Sequence, residues 1–435
     1  MPHLERMKTG LLLGAGFSCD FGMPISRELT EIFLNLFSRS NSRSLIAGMA
    51  NHQPFSVDRP INKAAIAEVF DLLLAYKEKK GENYEELLSH IQALSEDYGK
   101  SQSDRDSYHY TFCLFYEIIH NLLAIYQSES YKALYHKNLK WFSKLEDILS
   151  AEETWVFTLN HDIFLECLAI DLGIPITYGA TGTIEFPVSN IEMDERIYFS
   201  TIDRSLYRAD NPSFLSGQKG INLVKLHGGL TEHSYKDECI ICNQSLNKAT
   251  SKELVSDFYK IQRMAYYHQS QKVPDSKDRV ITNANGELDL ISKAMLTGGK
   301  KYSKTAKPKK GEEKLIVFDD ILGQLDELTI MGYGFGDKHV NFRIANAMAR
   351  RENLSIRIID PNLRKVPEFL EPFDYDSRIH RAICGAANWI DYSKSQKWNI
   401  EQIESLKNNS KIRNEIKSRV ESLVQTGKFN KREPA

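Results

Sequence analysis

The feature that most constrains the fold is the stretch at residues 11–27, which reads LLLGAGFSCDFGMPISR. A short apolar run ends in Gly14-Ala15-Gly16, and a helix is predicted to begin just past Pro24. A strand, a tight glycine turn and a helix in this order are typical of nucleotide-binding α/β sheets. In such sheets the turn lets backbone N–H groups approach a phosphate, and the helix N-terminus adds partial positive charge.

The glycine turn alone leaves two interpretations open. The dinucleotide fingerprint G-x-G-x-x-G requires a third glycine at the position where this chain has Cys19. A turn that merely joins a core strand to a helix is therefore the alternative to a phosphate-binding turn. The rest of the chain has to decide between the two.

Composition indicates an ordinary globular protein. The chain has 435 residues, of which 42% are hydrophobic and 26% are charged, and this length predicts two or three domains. The formal net charge of -2 gives no general attraction to nucleic acid or to an anionic membrane. The sequence has no apolar run of about eighteen residues and no long apolar stretch in MPHLERMKTG, so we expect a cytoplasmic location without a membrane span.

Strand and helix patterns alternate along most of the chain, which predicts a Rossmann-like, doubly wound parallel α/β sheet. After the first strand, strands are predicted at 155–159, 221–226, 328–332 and 355–360, and helices at 162–172 and 338–350. Ligands bind at the carboxyl ends of the strands in such sheets. Gly14, Asn160, His227, Gly332 and Asp360 each lie at one of those ends, so the pattern predicts one shared site.

A helical module is predicted to interrupt this sheet. Apolar side chains recur at three- and four-residue intervals over 61–79, 82–97, 108–127 and 131–149. Residues 41–60 are polar, contain proline and are predicted to form a loop. We therefore predict an α-helical insertion over 41–150, inside a nucleotide-binding domain made of 1–40 plus 151–395.

Two further segments are expected to lie outside the sheet. Residues 396–435 are predicted to form a C-terminal helix and a basic tail, and the helix could pack on its own domain or on another subunit. Residues 269–314 are polar and end in KKYSKTAKPKKGEEK, which predicts a mobile solvated loop. Contact of that loop with nucleic acid or with a partner is the alternative.

The cysteines do not predict a metal site. Only Cys239 and Cys242 have the spacing of a ligand pair, and no second C-x-x-C is present to complete a four-cysteine zinc site. We expect no zinc and interpret the pair as two small hydrophobic residues on a buried strand.

Four motifs in order resemble the SIR2 (sirtuin) family, and together they span residues 11 to about 361. GAGFSCDFGMPISR at 14–27 resembles the opening signature of the family, and TLNHD at 158–162 resembles its T-x-N-x-D motif. KLHG at 225–228 resembles its catalytic H-G. MGYGFGD at 331–337 is similar to the G-Y-x-F-G-D of SIR2-like proteins in bacterial antiphage defence systems.

The resemblance implies an NAD glycohydrolase, which cleaves the nicotinamide–ribose bond to give nicotinamide and ADP-ribose. Such a protein depletes NAD as an effector of antiphage defence by abortive infection. It also implies three catalytic residues. Asn160 would hold the ribose or a water, His227 would take a proton from a ribose hydroxyl or the attacking water, and Asp162 would orient the Asn or bind the carboxamide.

The same resemblance implies the residues that contact NAD. Ser18 and Arg27 would support the ribose and the diphosphate, and the turn at 14–16 would contact the diphosphate. The remaining cofactor contacts expected are Gly14, Ala15, Gly16, Gly332, Gly334, Asp337 and Asp360. For Asp337 a helix-capping role is the alternative, and Asp360 is expected to bind ribose hydroxyls. His161, at the variable position of its motif, is interpreted as a lining or surface residue.

Two other functions stay open at this point. One is a non-catalytic regulatory subunit that senses NAD or ADP-ribose, and the intact Asn/Asp/His set argues against it. The other is a protein deacylase, which the missing zinc ribbon argues against. Since the segment after Asp360 is too short for a sensor domain or a repeat scaffold, the resemblance implies a homo-oligomer with a separate sensor subunit, such as a HerA-like ATPase. Nucleic acid would be involved only indirectly.

Overall fold

The computed structural model describes residues 7–51, 61–81, 83–274, 277–295 and 311–425. Its strands, in chain order, are β1 Thr9–Leu13, β2 Glu153–Thr158, β3 Ile176–Thr177, β4 Gly182–Ser189, β5 Glu192–Asp203, β6 Gly220–Lys225, β7 Glu232–Tyr235, β8 Ile240–Gln244, β9 Tyr267–His268, β10 Gln271–Lys272, β11 Asp278–Thr282, β12 Leu288–Lys293, β13 Glu327–Met331, β14 Ser355–Ile359 and β15 Ile379–Ala382.

The α-helices of the described residues are α1 Ala15–Cys19, α2 Ser26–Asn35, α3 Arg39–Asn51, α4 Lys63–Glu78, α5 Tyr84–Ser95, α6 Gln102–Ser130, α7 His136–Asn138, α8 Phe164–Asp171, α9 Ser251–Arg263, α10 Glu312–Leu322, α11 Lys338–Arg350, α12 Glu371–Asp374, α13 Ala386–Ser395 and α14 Ile400–Gln425. A π-helical turn at Tyr131–Tyr135 joins α6 to α7. Within this described part of the chain, no helix has the length and the apolar character needed to cross a membrane.

Seven strands form a parallel sheet in the order β15-β14-β13-β1-β2-β6-β3. The first strand lies at its centre, where Leu12 pairs in register with Ile330 on one side and with Phe157 on the other. All three side chains are fully buried, as expected for a parallel sheet covered on both faces. The predicted Rossmann-like α/β fold class is confirmed.

A second sheet is antiparallel, with the order β11-β12-β7-β8-β5-β4. Sequence analysis does not anticipate it, and the prediction of a loop over 269–314 is wrong where β11 and β12 form a hairpin. The reason is that polar side chains there find partners inside the protein. Arg279 is buried and donates to the carbonyl of Ile261, and Lys293 is buried in an ion pair with Glu117. Residues 296–310 lie outside the described residues.

The helices predicted between 61 and 149 are present as α4, α5 and α6 with the short turns that follow them. The loop predicted for 41–60 is wrong in its first half, because α3 continues to Asn51, and residues 52–60 lie outside the described residues. Local hydrogen bonds start this polar helix. The N–H of Ser38 donates to Asn41 Oδ1 at 2.8 Å, and the Ser42 hydroxyl donates to the carbonyl of Ser38 at 2.7 Å.

The helical insertion and the central sheet share one hydrophobic core. Phe21, which follows the glycine turn, lies 4.6 Å from Phe142 of the insertion and 5.0 Å from Phe164 of α8 between ring centroids. Leu13 of β1 and Phe115 of α6 belong to the same buried cluster. The predicted domain boundaries at 40 and 150 therefore cross a continuous core, and the division into domains stays a prediction.

The C-terminal helix α14 packs on its own chain. Ile416 and Val420 are buried in the same core as the helical insertion. Arg413 pairs with Glu28 of α2 at 2.8 Å, and its guanidinium reaches Cys19 Sγ at 3.7 Å. The last turns of the helix thus cover the segment that follows the glycine turn.

The prediction that Cys239 and Cys242 lie together on one buried strand is wrong. Cys242 is buried in β8, whereas Cys239 is exposed in the turn before it. In that turn Lys236, Asp237 and Glu238 have positive φ and are exposed.

Candidate active site

Two glycine turns from neighbouring strands meet at the centre of the carboxyl edge. The first follows β1 and the second follows β13. The Gly14 N–H donates to the carbonyl of Met331 at 3.0 Å, and the Gly16 N–H donates to the carbonyl of Gly332 at 2.9 Å. Both N–H groups are therefore engaged in joining the two turns.

Close backbone contact explains why glycine occupies these positions. Gly332 has a φ of 64°, and a Cβ placed on it would lie 2.5 Å from the backbone of Gly16. A Cβ on Gly14 would lie 2.6 Å from the carbonyl oxygen of Gly332. The spacing of the motif is thus required by the fold itself, whatever the turn binds.

The segment after the first turn differs in part from the prediction. The short helix α1 begins directly at Ala15, and the helix predicted past Pro24 is present as α2. The early helix places Ser18 inward, where it is 1% exposed. Ser18 thereby faces the loop that follows β2.

Asn160 is held by the first turn through its side-chain amide. Its Nδ2 donates to the carbonyl of Gly14 and to Ser18 Oγ, each at 2.9 Å, and its own N–H donates to Thr158 Oγ1 at 3.0 Å. Asn160 is 9% exposed. The orientation of its amide is therefore determined by Gly14 and Ser18.

Asp162 lies behind Asn160 at the start of α8. Its Oδ1 accepts the Phe164 N–H at 3.1 Å, and its carboxylate also interacts with the Ser18 hydroxyl. Burial raises the pKa of the Asp162 carboxyl, while the nearby Lys225 ammonium and these hydrogen bonds oppose the rise. In this arrangement Asp162 orients the Ser18–Asn160 pair.

Lys225, the last residue of β6, links the two neighbouring strand ends. It is 3% exposed, pairs with Glu166 at 2.7 Å and donates to the carbonyl of Asp162. Glu166 also accepts from the Tyr178 hydroxyl at 2.8 Å. A buried ion pair of this kind is favourable only with such extra hydrogen bonds, so the loops after β2 and β6 are fixed relative to each other.

His227 follows β6 and is 5% exposed. Its Nε2 lies 2.7 Å from Asp337 Oδ2, and the two side chains are 6% and 11% exposed. Sequence analysis assigns both residues to the site but does not predict their contact.

The capping alternative for Asp337 is present in the structure. Asp337 Oδ1 accepts the N–H groups of His339 at 2.8 Å and Val340 at 3.1 Å, at the start of α11. Asn341 reaches back with its side chain to the carbonyl of Phe335 at 2.7 Å, and Phe335 is held at a φ of 57°. The loop before α11 is thus fixed by its own hydrogen bonds.

His161 is buried near His227, a position that sequence reasoning left open between a lining and a surface residue. It is 9% exposed, its Nδ1 lies 3.1 Å from the carbonyl oxygen of Gly228, and its ring centroid is 6.5 Å from that of His227. It is therefore a lining residue and not a surface residue. Its position between two motif residues, Asn160 and Asp162, was the signal in the sequence.

Three predicted residues lie at the periphery. Arg27 is exposed in the first turn of α2, and Gly334 is exposed with open space where a Cβ would lie. Asp360 follows β14, next to β13 in the sheet, and its Oδ1 accepts the Asn362 N–H at 2.6 Å. Contacts thus link Gly14, Gly16, Ser18, Asn160, Asp162 and Gly332, and separately His227 with Asp337.

The topology and the position of these residues define a doubly wound α/β protein with a polar site at the carboxyl ends of its central strands. Among solved structures, 26 chains match it. One is a Sir2 enzyme, described as "Structural Basis for the Mechanism and Regulation of Sir2 Enzymes", at 10% sequence identity and a TM-score of 0.32. The match covers 93% of this chain and 94% of that chain.

At this TM-score, no residue role can be transferred from the Sir2 enzyme to this chain. The fold class therefore rests on the strand order of the sheet itself. No protein-family model matches the chain. The comparison with curated proteins likewise returns no match in sequence.

Proposed function

We propose that this protein is an NAD glycohydrolase that releases nicotinamide and ADP-ribose. The observation that supports the proposal is that an amide, a carboxylate and an imidazole follow two neighbouring strands of the sheet. Asn160 and Asp162 follow β2, and His227 follows the neighbouring strand β6. This grouping of residue types suits hydrolysis better than binding alone, because a sensor needs no base.

Cleavage of the nicotinamide–ribose bond depends on positioning of the ribose and not on a general acid. Nicotinamide leaves NAD as a neutral molecule through an oxocarbenium-like state, so its departure needs no general acid. The site must hold the ribose and remove a proton from a ribose hydroxyl or from the attacking water. We assign that proton transfer to His227, since an imidazole with a pKa near neutrality suits the role of general base.

Asn160 is assigned to the ribose. Its amide nitrogen already donates to Gly14 and Ser18. The side-chain Oδ1 is therefore the atom that we assign as acceptor of a ribose hydroxyl. An amide does not titrate, so this contact would persist over a wide pH range. Asp162 supports it through Ser18.

We assign the remaining contacts with NAD from two observations: which backbone N–H groups are already hydrogen-bonded, and where open space lies beside the glycines. The N–H groups of Gly14 and Gly16 bond to the second turn, so we assign the diphosphate to Ala15 of the first turn and to the exposed Arg27. Gly334 and Gly336 have open space where a Cβ would lie, which leaves room for the adenosine half beside them. Asp360, at the next strand end, is assigned to the adenosine ribose.

The biological role rests on the resemblance of MGYGFGD to the SIR2-like proteins of antiphage defence. We propose that the protein depletes NAD when infection is sensed and that it acts as a homo-oligomer. A HerA-like ATPase or another sensor subunit would supply the trigger. Because such an effector must be silent before infection, we expect its activity to depend on assembly.

The test is an incubation of the purified chain with NAD, alone and with the product of the neighbouring gene. Nicotinamide and ADP-ribose are measured by chromatography. We expect Asn160→Ala and His227→Ala each to lower the turnover by about 100-fold or more, since each removes a group used in the transition state. His380→Ala, which changes an exposed histidine of β15, should leave turnover unchanged.

Two results would contradict this function. Nicotinamide release that requires an acyl-lysine peptide would indicate a deacylase. Binding of NAD without release under either condition would indicate a sensing subunit.

A further inference from the structure

We propose that Asp337 is a positioning residue for His227. Its carboxylate keeps the proton of the neutral imidazole on Nε2, so that Nδ1 is the nitrogen that acts as the base. The proposal rests on the proposed function for its catalytic meaning. Its physical content is a contact between two side chains that the sheet brings together. Asp337 would thus be more than the helix cap or the cofactor contact that its motif suggests.

The contact bridges strands that are not neighbours. His227 follows β6 and Asp337 follows β13, and β1 and β2 lie between these strands in the sheet. His227 Nε2 and Asp337 Oδ2 nevertheless lie 2.7 Å apart, and the two side chains are only 6% and 11% exposed. The contact therefore joins two loops whose strands are separated by two others in the sheet.

The carboxylate is itself firmly held. One oxygen accepts two N–H groups at the start of α11, which leaves the other oxygen directed at His227. The Asp337 N–H donates to the Tyr333 hydroxyl at 3.1 Å, and that hydroxyl donates to Asn341 Oδ1 at 2.9 Å. Rotation of the carboxylate away from His227 would cost the helix cap.

The contact determines which ring nitrogen carries a proton. The approach of a carboxylate oxygen to 2.7 Å from Nε2 favours a proton on that nitrogen, because a bare nitrogen would turn its lone pair toward the carboxylate. Nδ1 is then the basic nitrogen of the neutral ring. The negative charge also stabilises the imidazolium that forms when Nδ1 takes a proton, and this raises the basicity of His227.

Among the described residues, the ionisable side chains of Asp337 and His161 approach the His227 ring from other elements. Asp337 comes from the loop before α11, and His161 comes from the loop after β2. A proton on His161 would lower the basicity of His227, whereas the carboxylate raises it. Substitutions of Asp337 therefore change the effect of the carboxylate on His227 while His161 stays in place.

Asp337→Asn separates the two roles of the side chain, because asparagine caps helices as well as aspartate but has no negative charge. Because the cap is kept, we expect this variant to lose less thermal stability than Asp337→Ala. Its kcat/KM for NAD should fall by about 100-fold or more, and the acidic limb of the pH profile should move down by about one pH unit. Asp337→Ala should lose both the activity and thermal stability.

Thr250→Ala is the matched control for a lost cap. Thr250 caps α9 through the Glu253 N–H at 3.3 Å, and the variant should lower the melting temperature while leaving kcat/KM unchanged. An Asp337→Asn variant with wild-type kcat/KM and an unshifted pH profile would overturn the proposal.

A second measurement does not depend on NAD turnover. The titration of His227 is followed by NMR on histidine-labelled protein, with the signal assigned by its loss in His227→Gln. We expect a lower midpoint in Asp337→Asn than in the wild type, and an unchanged midpoint would overturn the contact. A lowered midpoint in a chain that never hydrolyses NAD would instead refute the proposed function.

Discussion

At the scale of single residues, the centre of the candidate site consists of charged and polar side chains that are almost wholly removed from water. Each has a specific partner: Lys225 has Glu166, Asn160 has Ser18, and His227 has Asp337. Removing one member of such a pair leaves the other buried and uncompensated, which costs more than the pair contributes. The site is therefore sensitive to single substitutions.

Asp20 gives a pH-dependent prediction at this scale. It follows α1, its carboxylate accepts the Ala387 N–H at 3.4 Å, and burial raises its pKa from 3.8 to about 6, against the effects of that hydrogen bond and of Arg413. Between about pH 4 and 6 the folded chain binds this proton more tightly than the unfolded chain. The free energy of unfolding should therefore fall as the pH rises through this window.

We expect Asp20→Asn to remove this decline, so that the variant gains stability relative to the wild type from pH 4 to 6 and keeps the gain above pH 6. Denaturant titrations at several pH values measure the difference. Asp71→Asn, at an exposed position of α4, is the control. A stability difference that does not change with pH would count against the raised pKa of Asp20.

At the scale of elements, the two glycine turns act as one unit that joins β1 to β13. Their hydrogen bonds and their close backbone contact depend on the absence of side chains at three positions, Gly14, Gly16 and Gly332. Asn160 then binds the first turn through the carbonyl of Gly14. The position of the amide in the site thus depends on the packing of the turns.

Gly332→Ala should be strongly destabilising, by about 3 kcal/mol or more. The new Cβ would lie 2.5 Å from the backbone of Gly16, and the residue would have to keep a φ of 64°. Gly334→Ala, two residues further on, adds a methyl group into open space and should change the free energy of unfolding by less than about 0.5 kcal/mol. Equal effects of the two variants in chemical denaturation would contradict the role of the turn contact.

At the scale of the whole molecule, the core is continuous. The helical insertion, the sheet face that carries Leu11 and Leu13, and α14 all contribute to one buried cluster. A second cluster on the opposite face of the sheet contains Leu12 and Ile330. Strand β1 therefore contributes side chains to both.

We expect the insertion and the central sheet to unfold together. Trp141 lies in the insertion core and Trp155 in the opposite cluster, so variants that retain one tryptophan report on the two regions separately. Their fluorescence transitions in denaturant should coincide with each other and with the loss of helix by circular dichroism. Two separated transitions, or an isolated fragment 61–148 that folds cooperatively, would establish an independent module.

Much of the central sheet could be predicted because its signals are local. Apolar runs such as 221–226 and 355–360 are long enough to identify strands, and parallel pairing places residues at their carboxyl ends on one edge. Asn160 and His227 were accordingly predicted to share a site, whereas Asp337 was named only through the family resemblance. The strands β4 and β5 carry charged and polar residues on half-exposed faces, so the antiparallel sheet had no comparable local signal.

By itself, the sequence determined the α/β class, the order of the central strands along the chain and the residues at their carboxyl ends. Periodicity and glycine spacing act within a few residues, so they can be read without a partner. Only the tertiary structure decided that Lys225 and Lys293 are buried, that His161 lines the site, and that Asp337 faces His227. Those outcomes depend on partners from distant segments, and their free energy arises only when the packed sheet brings the charges together out of water.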